Sequence, residues 1–277
     1  MELYNQTCIG CSRMFTTEYS TSFSKAVGML HKSIRNPIYS IYGFVRIADE
    51  IVDTFHDHPK RKMLNELREQ VFSAIDEGVS SNPIINSFQL VVNQYNIPHS
   101  LITSFLDSME MDLEKQDYNS EDYKKYIYGS AEVVGLMCLK VFCNGNDSDY
   151  NELVNPARSL GEAFQKVNFL RDIKDDFQER GRVYFPNVDF TNFSDEQKKQ
   201  IEDDIAEDLK NALVGIRKLP QEAKLGVYVA YLYFKSLLVR IRRLKAKDIV
   251  NKRIRVPNII KFFIMLRARL VVALGII

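Results

Sequence analysis

Four aspartates form two pairs of identical spacing. Asp49 and Asp53 lie in Ala48-Asp49-Glu50-Ile51-Val52-Asp53, and Asp172 and Asp176 lie in Asn168-Phe169-Leu170-Arg171-Asp172-Ile173-Lys174-Asp175-Asp176. On a helix, residues four apart project from one face, so each pair would present two carboxylates together. Asn168 lies one turn before Asp172 on that face. Like charges at this spacing destabilise an isolated helix, so two such pairs among apolar neighbours need a counter-charge. A hard divalent cation supplies it: Mg²⁺ takes carboxylate oxygens and keeps positions open for water and phosphate oxygens. Arg46 and Arg171 sit on or near the same helices, and a guanidinium matches phosphate in both charge and shape. If the two helices face each other, they make a cleft that holds a diphosphate through bridging Mg²⁺. For either motif alone the plainer reading is a solvated acidic face.

The elements that must position these residues read as helices. From Ile38 to Phe55, between Pro37 and Pro59, apolar residues recur at spacings of three and four, which is helical periodicity. The stretches Ile84–Tyr95, Leu101–Met111, Tyr123–Phe142, Arg158–Phe177 and Leu225–Arg243 read the same way. Gly129 and Gly135 lie inside the third of these, where glycine costs about 1 kcal/mol relative to alanine; close packing or a ligand explains them. Ser194 is placed to cap an acidic helix from Asp195 to Val214. Gly181 and Pro186 break the chain after the second motif, and Arg255-Val256-Pro257 breaks it before a last helix. No alternating strand pattern of useful length occurs. The expected fold is all-α, a single domain over residues 1–277 with an accessory terminal helix at about 257–277.

Composition narrows the function. The 277 residues are 45% hydrophobic and 26% charged, a globular balance that excludes disorder and fibre. The net charge of +1 speaks against nucleic acid as a partner, which needs a basic excess. Cys8, Cys11, Cys138 and Cys143 are too few for a disulfide scaffold, and Cys8-x-x-Cys11 has no second pair to complete a zinc site; they read as incidental thiols of a reducing cytoplasm. No secretory signal is visible. The longest clean apolar run near the C-terminus, LVVALGII, falls far short of the roughly 20 residues that span a bilayer. That segment reads as a helix packed on the core, with a membrane-touching helix and peripheral localisation as the alternative. His31, His56, His58 and His99 are scattered, and the KAKDIVNKRIR run reads as a basic surface, with anionic lipid or diphosphate at a cavity mouth as its alternative contact.

Four segments carry a resemblance: YSTSFS from Tyr19, IYGFVRIADEIVD from Ile41, YIYGSAEVVG from Tyr126 and FQKVNFLRDIKDDFQERGRVYFP from Phe164. With a fainter echo in RIRVPNIIK from Arg253, they resemble the squalene and phytoene synthase family of head-to-head prenyl transferases. The flavour is nearest its bacterial phytoene synthases. The resemblance implies an all-α isoprenoid-synthase bundle around a central apolar cavity that takes two prenyl diphosphates with two or three Mg²⁺ ions. It implies Asp49, Asp53, Asn168, Asp172 and Asp176 as metal ligands and Arg46 and Arg171 as diphosphate-facing groups. It implies Ser22, Phe23, Tyr42, Gln165 and Arg182, the last in the R-G-R-x-Y-x-P-like loop, as substrate-binding residues and Tyr126, with Arg46 and Arg171, as catalytic, the tyrosine assisting proton movement while the diphosphate itself serves as base. Departures are Tyr19, where histidine is frequent, Glu50 for aspartate and Glu132 for glycine.

The family reaction ionises one allylic diphosphate, joins the second chain through a cyclopropyl diphosphate, and ionises again. The cation must be kept from water, and aromatic faces can hold it without trapping it; Phe23, Tyr42, Tyr126 and Phe169 are the candidates. The expected function is phytoene synthesis from two geranylgeranyl diphosphates, with downstream carotenoid enzymes as further partners. The alternatives are squalene or dehydrosqualene synthesis from farnesyl diphosphate, with NADPH expected only for squalene, and a non-catalytic helical assembly subunit.

Overall fold

The computed structural model describes residues 1–277 except 115–117, 180, 187 and 252, and except the side chains of 178 and 179. The chain runs α1 (Glu2–Tyr19), α2 (Thr21–Val27), α3 (Lys32–Asp53), α4 (Lys60–Glu77), α5 (Pro83–Tyr95), α6 (His99–Glu114) and α7 (Ser120–Ile127). A π-helical turn, Tyr128–Glu132, leads into α8 (Val133–Phe142). Then come α9 (Asp147–Ile173), a second π turn (Lys174–Glu179), α10 (Asp195–Lys218), α11 (Gln221–Arg242), the short α12 (Ala246–Ile249) and α13 (Asn258–Ala273). No β-strand occurs among the described residues. The fold is all-α, as its periodicity predicts.

Local chemistry sets many of the boundaries. Asn82 caps α5 by accepting from the backbone N–H of Ile84 and Ile85, and Pro83 opens the helix where no N–H is needed. Gly78 ends α4 at φ 72°, a conformation that glycine adopts without steric cost. Ser194 and Gln197 form a reciprocal capping box on α10, so the predicted cap holds, and the helix runs on to Lys218.

Two boundaries differ from expectation. α3 begins five residues before Pro37 and continues through it, because Ile34 and Ile38 are both buried one turn apart and their packing outweighs the hydrogen bond that proline removes. α9 begins at Asp147, not Arg158, capped by Asn146 and running through Pro156.

The Tyr123–Phe142 stretch is helical throughout but widens into the π turn at Tyr128–Glu132. Gly129 explains why. A Cβ there would collide with the Ser104 carbonyl and approach Ser108 Cβ to 2.6 Å, so the backbones of α6 and this turn touch without a side chain between them. Close packing, not a ligand, is the role of Gly129. Gly129→Ala is expected to destabilise the fold by about 1–3 kcal/mol through overpacking, measured as a lower urea midpoint at unchanged slope.

The buried apolar residues form one continuous core, with Phe44, Phe88 and Phe105 packed ring to ring between α3, α5 and α6. Several buried charges are paired, while the buried Lys224 and Lys261 ammonium groups donate to the Arg217 carbonyl and the Thr21 hydroxyl. Lys166 on α9 is held by Glu162, Asp204 and Asp208, which stitches α9 to α10. Burial pushes the Asp208 carboxyl up to about 6 even beside that ammonium. Glu132 is 6% exposed and paired with Arg158, so this departure from the family pattern points into the α9 packing face. All four cysteines are free thiols. α13 packs on α11, but by one face only: Lys261 and Ala268 are buried while Ile259, Phe262, Phe263, Leu266 and Leu270 are exposed. The expected core helix is therefore half uncovered. No helix among the described residues is long and apolar enough to cross a membrane.

Candidate active site

Both acidic motifs lie on helices with the predicted phase. On α3, Tyr42, Arg46, Asp49 and Asp53 follow at spacings of four, three and four, which makes one stripe. On α9 and the turn that follows it, Gln165, Asn168, Asp172 and Asp176 make another. The loop after the second motif joins the stripes. The backbone N–H of Arg182 donates to Asp176 O at 2.9 Å, and its guanidinium donates to Asp53 Oδ1 at 2.7 Å. Motifs more than a hundred residues apart in sequence thus meet through one arginine. Arg182 is 9% exposed at its side chain. Burial disfavours its charge, but Asp112, Tyr184 and Asp53 together outweigh that and hold the guanidinium firmly protonated. Arg180 of the same loop lies outside the described residues.

The carboxylates are held by guanidinium groups. Asp49 pairs with Arg46 at 2.5 Å, and Arg46 also pairs with the buried Glu50. Glu50 is thereby turned to the arginine. Arg171 Nε donates to Asp172 at 2.9 and 3.0 Å. Arg253, in the part of the basic run that follows α12, reaches Asp172 at 2.9 Å and Asp175 at 3.6 Å. The basic run is therefore partly a component of the site, not only surface; Lys252 within it lies outside the described residues. Tyr19, another of the departures, lies under the Arg46 guanidinium, 4.3 Å from ring centroid to Cζ.

Beneath this polar rim lies an aromatic floor. Phe23 stacks on Tyr42 at 4.9 Å and Phe169 on Tyr184 at 4.2 Å. Tyr126 stacks on Tyr184 at 5.0 Å and meets Tyr118 edge-on at 5.0 Å. These phenols surround one carboxylate that the sequence reading did not single out. Asp112 accepts from Tyr126 at 2.7 Å, Tyr118 at 3.0 Å and Tyr184 at 3.2 Å. Burial raises its pKa, while Arg182 and the Tyr126 hydroxyl pull it back. Burial, then the Asp112 charge, pushes the Tyr126 phenol well above its usual value, so it keeps its proton at neutral pH. The one sequence signal for Asp112 is its place one turn beyond the apolar Met109 in a helical apolar pattern. Tyr184, in the R-G-R-x-Y loop, and Arg253 were legible only as parts of the resemblance.

The remaining predicted residues are less engaged. Gln165 Nε2 donates to Ser130 Oγ at 3.3 Å, and Ser22 on α2 is half-buried. Two buried polar atoms at the site, Asn168 Oδ1 and Arg46 Nε, have no partner among the described residues. An acceptor oxygen on the acidic face and a donor beside Asp49 are what a cation and a phosphate would respectively engage. Among the described residues, no three His, Cys, Asp or Glu side chains converge on one point. Mg²⁺ does not need such a nest: it is commonly held by one or two carboxylates with substrate phosphates and water. Pairs of hard oxygen donors with an orphaned amide oxygen fit that ion.

The squalene/phytoene synthase family model matches residues 16–259. The chain is 26% identical over 192 residues to a 4,4'-diapophytoene synthase of Staphylococcus haemolyticus, covering 68% of this chain and 65% of that protein. It is 28% identical to a 15-cis-phytoene synthase of a Paracoccus species (61% and 57% covered). It is 30% identical to a chloroplastic phytoene synthase of an Oncidium hybrid (76% and 52%). The match thus spans between half and two-thirds of these relatives. Among solved structures, a dehydrosqualene synthase superposes with a TM-score of 0.82 at 21% identity over 97% of this chain and 98% of its own. A squalene synthase from Alicyclobacillus acidocaldarius gives 0.76 at 20% identity over 87% and 95%. At these identities the superpositions speak to the fold.

Proposed function

Because the chain belongs to the squalene/phytoene synthase family, whose members are head-to-head prenyl transferases, we propose that it condenses two prenyl diphosphates to a hydrocarbon, and that these are geranylgeranyl diphosphates giving phytoene. The observation that carries the reading is Arg182, which links the two diaspartate motifs by pairing with the Asp53 carboxylate and donating its backbone N–H to the Asp176 carbonyl, beside a set of stacked aromatic rings. Asp49, Asp53, Asn168, Asp172 and Asp176 would hold Mg²⁺. Mg²⁺, when bound, supplies positive charge that makes diphosphate a competent leaving group.

The protein's own residues do the rest. Arg46 and Arg171 stabilise the departing diphosphate, which is the electrostatic part of catalysis. The rings of Phe23, Tyr42 and Phe169 exclude water and turn their faces to the allylic cation. Ser22 and Gln165 position the substrate. Tyr126 keeps its proton and donates to Asp112, so it orients and shields the reacting carbons; the released diphosphate takes the proton lost in the last step. Tyr126→Phe, which removes the hydrogen bond to Asp112, is expected to lower turnover about tenfold with little change in KM; unchanged turnover would remove the tyrosine from the mechanism.

A second reading, two farnesyl diphosphates joined to dehydrosqualene, is favoured by the likeness to a diapophytoene synthase. One experiment separates them. The purified protein is incubated with Mg²⁺ and either diphosphate, with and without NADPH, and the hydrocarbons are identified. Phytoene from the C20 substrate without NADPH supports the first reading. A C30 product from the C15 substrate supports the second. No hydrocarbon from a folded protein points to the non-catalytic subunit.

A further inference from the structure

The 16 residues of α13 carry two apolar faces where a surface helix carries one. The inner face is built from Ile260, Ile264, Ala268 and Val271, which pack toward α11 and the core. The same side is pinned near its start: Tyr233 donates to the Lys261 carbonyl at 3.4 Å, and the Lys261 ammonium reaches Thr21 on α2 at 3.4 Å. The outer face is open. Ile259 is 62% exposed, Phe262 55%, Phe263 59%, Leu266 47% and Leu270 58%.

These five do not scatter. At about 100° per residue they fall within roughly 40–60° either side of one direction, opposite Ala268, and Arg267 and Arg269 stand about 80° to each side. Charge follows the same logic. From Asn251 to Ile277 there is no aspartate or glutamate, against six lysines and arginines, in a chain whose net charge is +1. An apolar ridge flanked by long cationic side chains matches the boundary between acyl chains and anionic headgroups, where arginine stems lie along the apolar zone and guanidinium groups reach phosphate. The helix is roughly 24 Å long, too short to span a bilayer core of about 30 Å. We infer that α13 is an interfacial helix that seats the protein on an anionic lipid surface, its axis in the membrane plane. This surface stands on the exposed face and its charge, whichever prenyl diphosphate the site takes.

The full chain is tested by co-sedimentation with vesicles of equimolar phosphatidylglycerol and phosphatidylcholine, and with phosphatidylcholine alone. Binding to the anionic vesicles is expected, weakening as salt is raised. R267Q/R269Q is expected to weaken it roughly tenfold or more, and F262S/F263S/L266S to abolish it. Because all five side chains are exposed, both variants should keep the wild-type circular dichroism spectrum and melting midpoint, which separates loss of binding from loss of fold. No co-sedimentation of the wild-type chain, or equal binding by the triple variant, overturns the inference. A doubled mass in light scattering without lipid, lost in the triple variant, also overturns it and assigns the face to a second copy of the chain.

Discussion

Asp49→Asn and Asp172→Asn are each expected to lower turnover by roughly 10²–10³-fold or more while the protein stays folded. A magnitude of that order follows removal of a single group that stabilises charge developing in a transition state. Both aspartates now sit against arginines: Asp49 against Arg46, and Asp172 against Arg171 and Arg253. Removing one carboxylate charge leaves a partly exposed guanidinium with little to lose, since such pairs near solvent contribute about 0–1 kcal/mol. The stability cost is therefore small and the catalytic cost large. The readouts are hydrocarbon yield per minute and the thermal midpoint, measured on the same preparation. The Mg²⁺ concentration for half-maximal rate should rise as well. Retained turnover in both variants would remove these residues from the metal set.

Arg182→Met is expected to have the largest effect on stability, about 3–5 kcal/mol, because it strips a buried cation from its anionic partners. Asp53 loses its 2.7 Å partner and the half-buried Asp112 loses the charge that offsets its desolvation. The effect depends on pH, with a definite sign. Burial already raises Asp112 above the ordinary carboxylate range, and without Arg182 it rises further. The native state then binds a proton that the unfolded chain has released, so stability falls as pH rises through that window. The deficit of the variant should grow as pH rises and shrink on acidification, as the Asp112 carboxyl takes up its proton. Urea titrations at several pH values measure it, and Asp112→Asn in the same background should recover part of the loss. A pH-independent deficit would show that Arg182 acts by packing alone.

Much of the site is readable in one dimension because it is helical. A four-residue spacing turns Asp49 with Asp53, and Asp172 with Asp176, into shared faces whatever the rest of the chain does, and Asn168, Arg46 and Tyr42 fall into line by the same period. Apolar recurrence and the Ser194 cap likewise mark helices by local chemistry alone. Boundaries fail where a distant partner overrides a local rule. Pro37 should end a helix, yet Ile34 and Ile38 are both buried and α3 runs through it. Gly129 marks a π turn only because Ser104 of another helix presses against it.

The tertiary structure alone decides the partners of single residues. Asp112 is one acid among several at the end of α6, and it becomes a triple acceptor because Tyr118, Tyr126 and Tyr184 arrive from later in the chain. Arg182 is one arginine in a loop, and only folding sets its guanidinium between Asp53 and Asp112. α13 has apolar residues on every side in sequence, and which side is covered depends on where α11 and α2 lie. Periodicity is a property of the chain, so the sequence by itself determines helices and their shared faces. Burial and pairing are properties of what the chain is folded against, so they exist only in three dimensions.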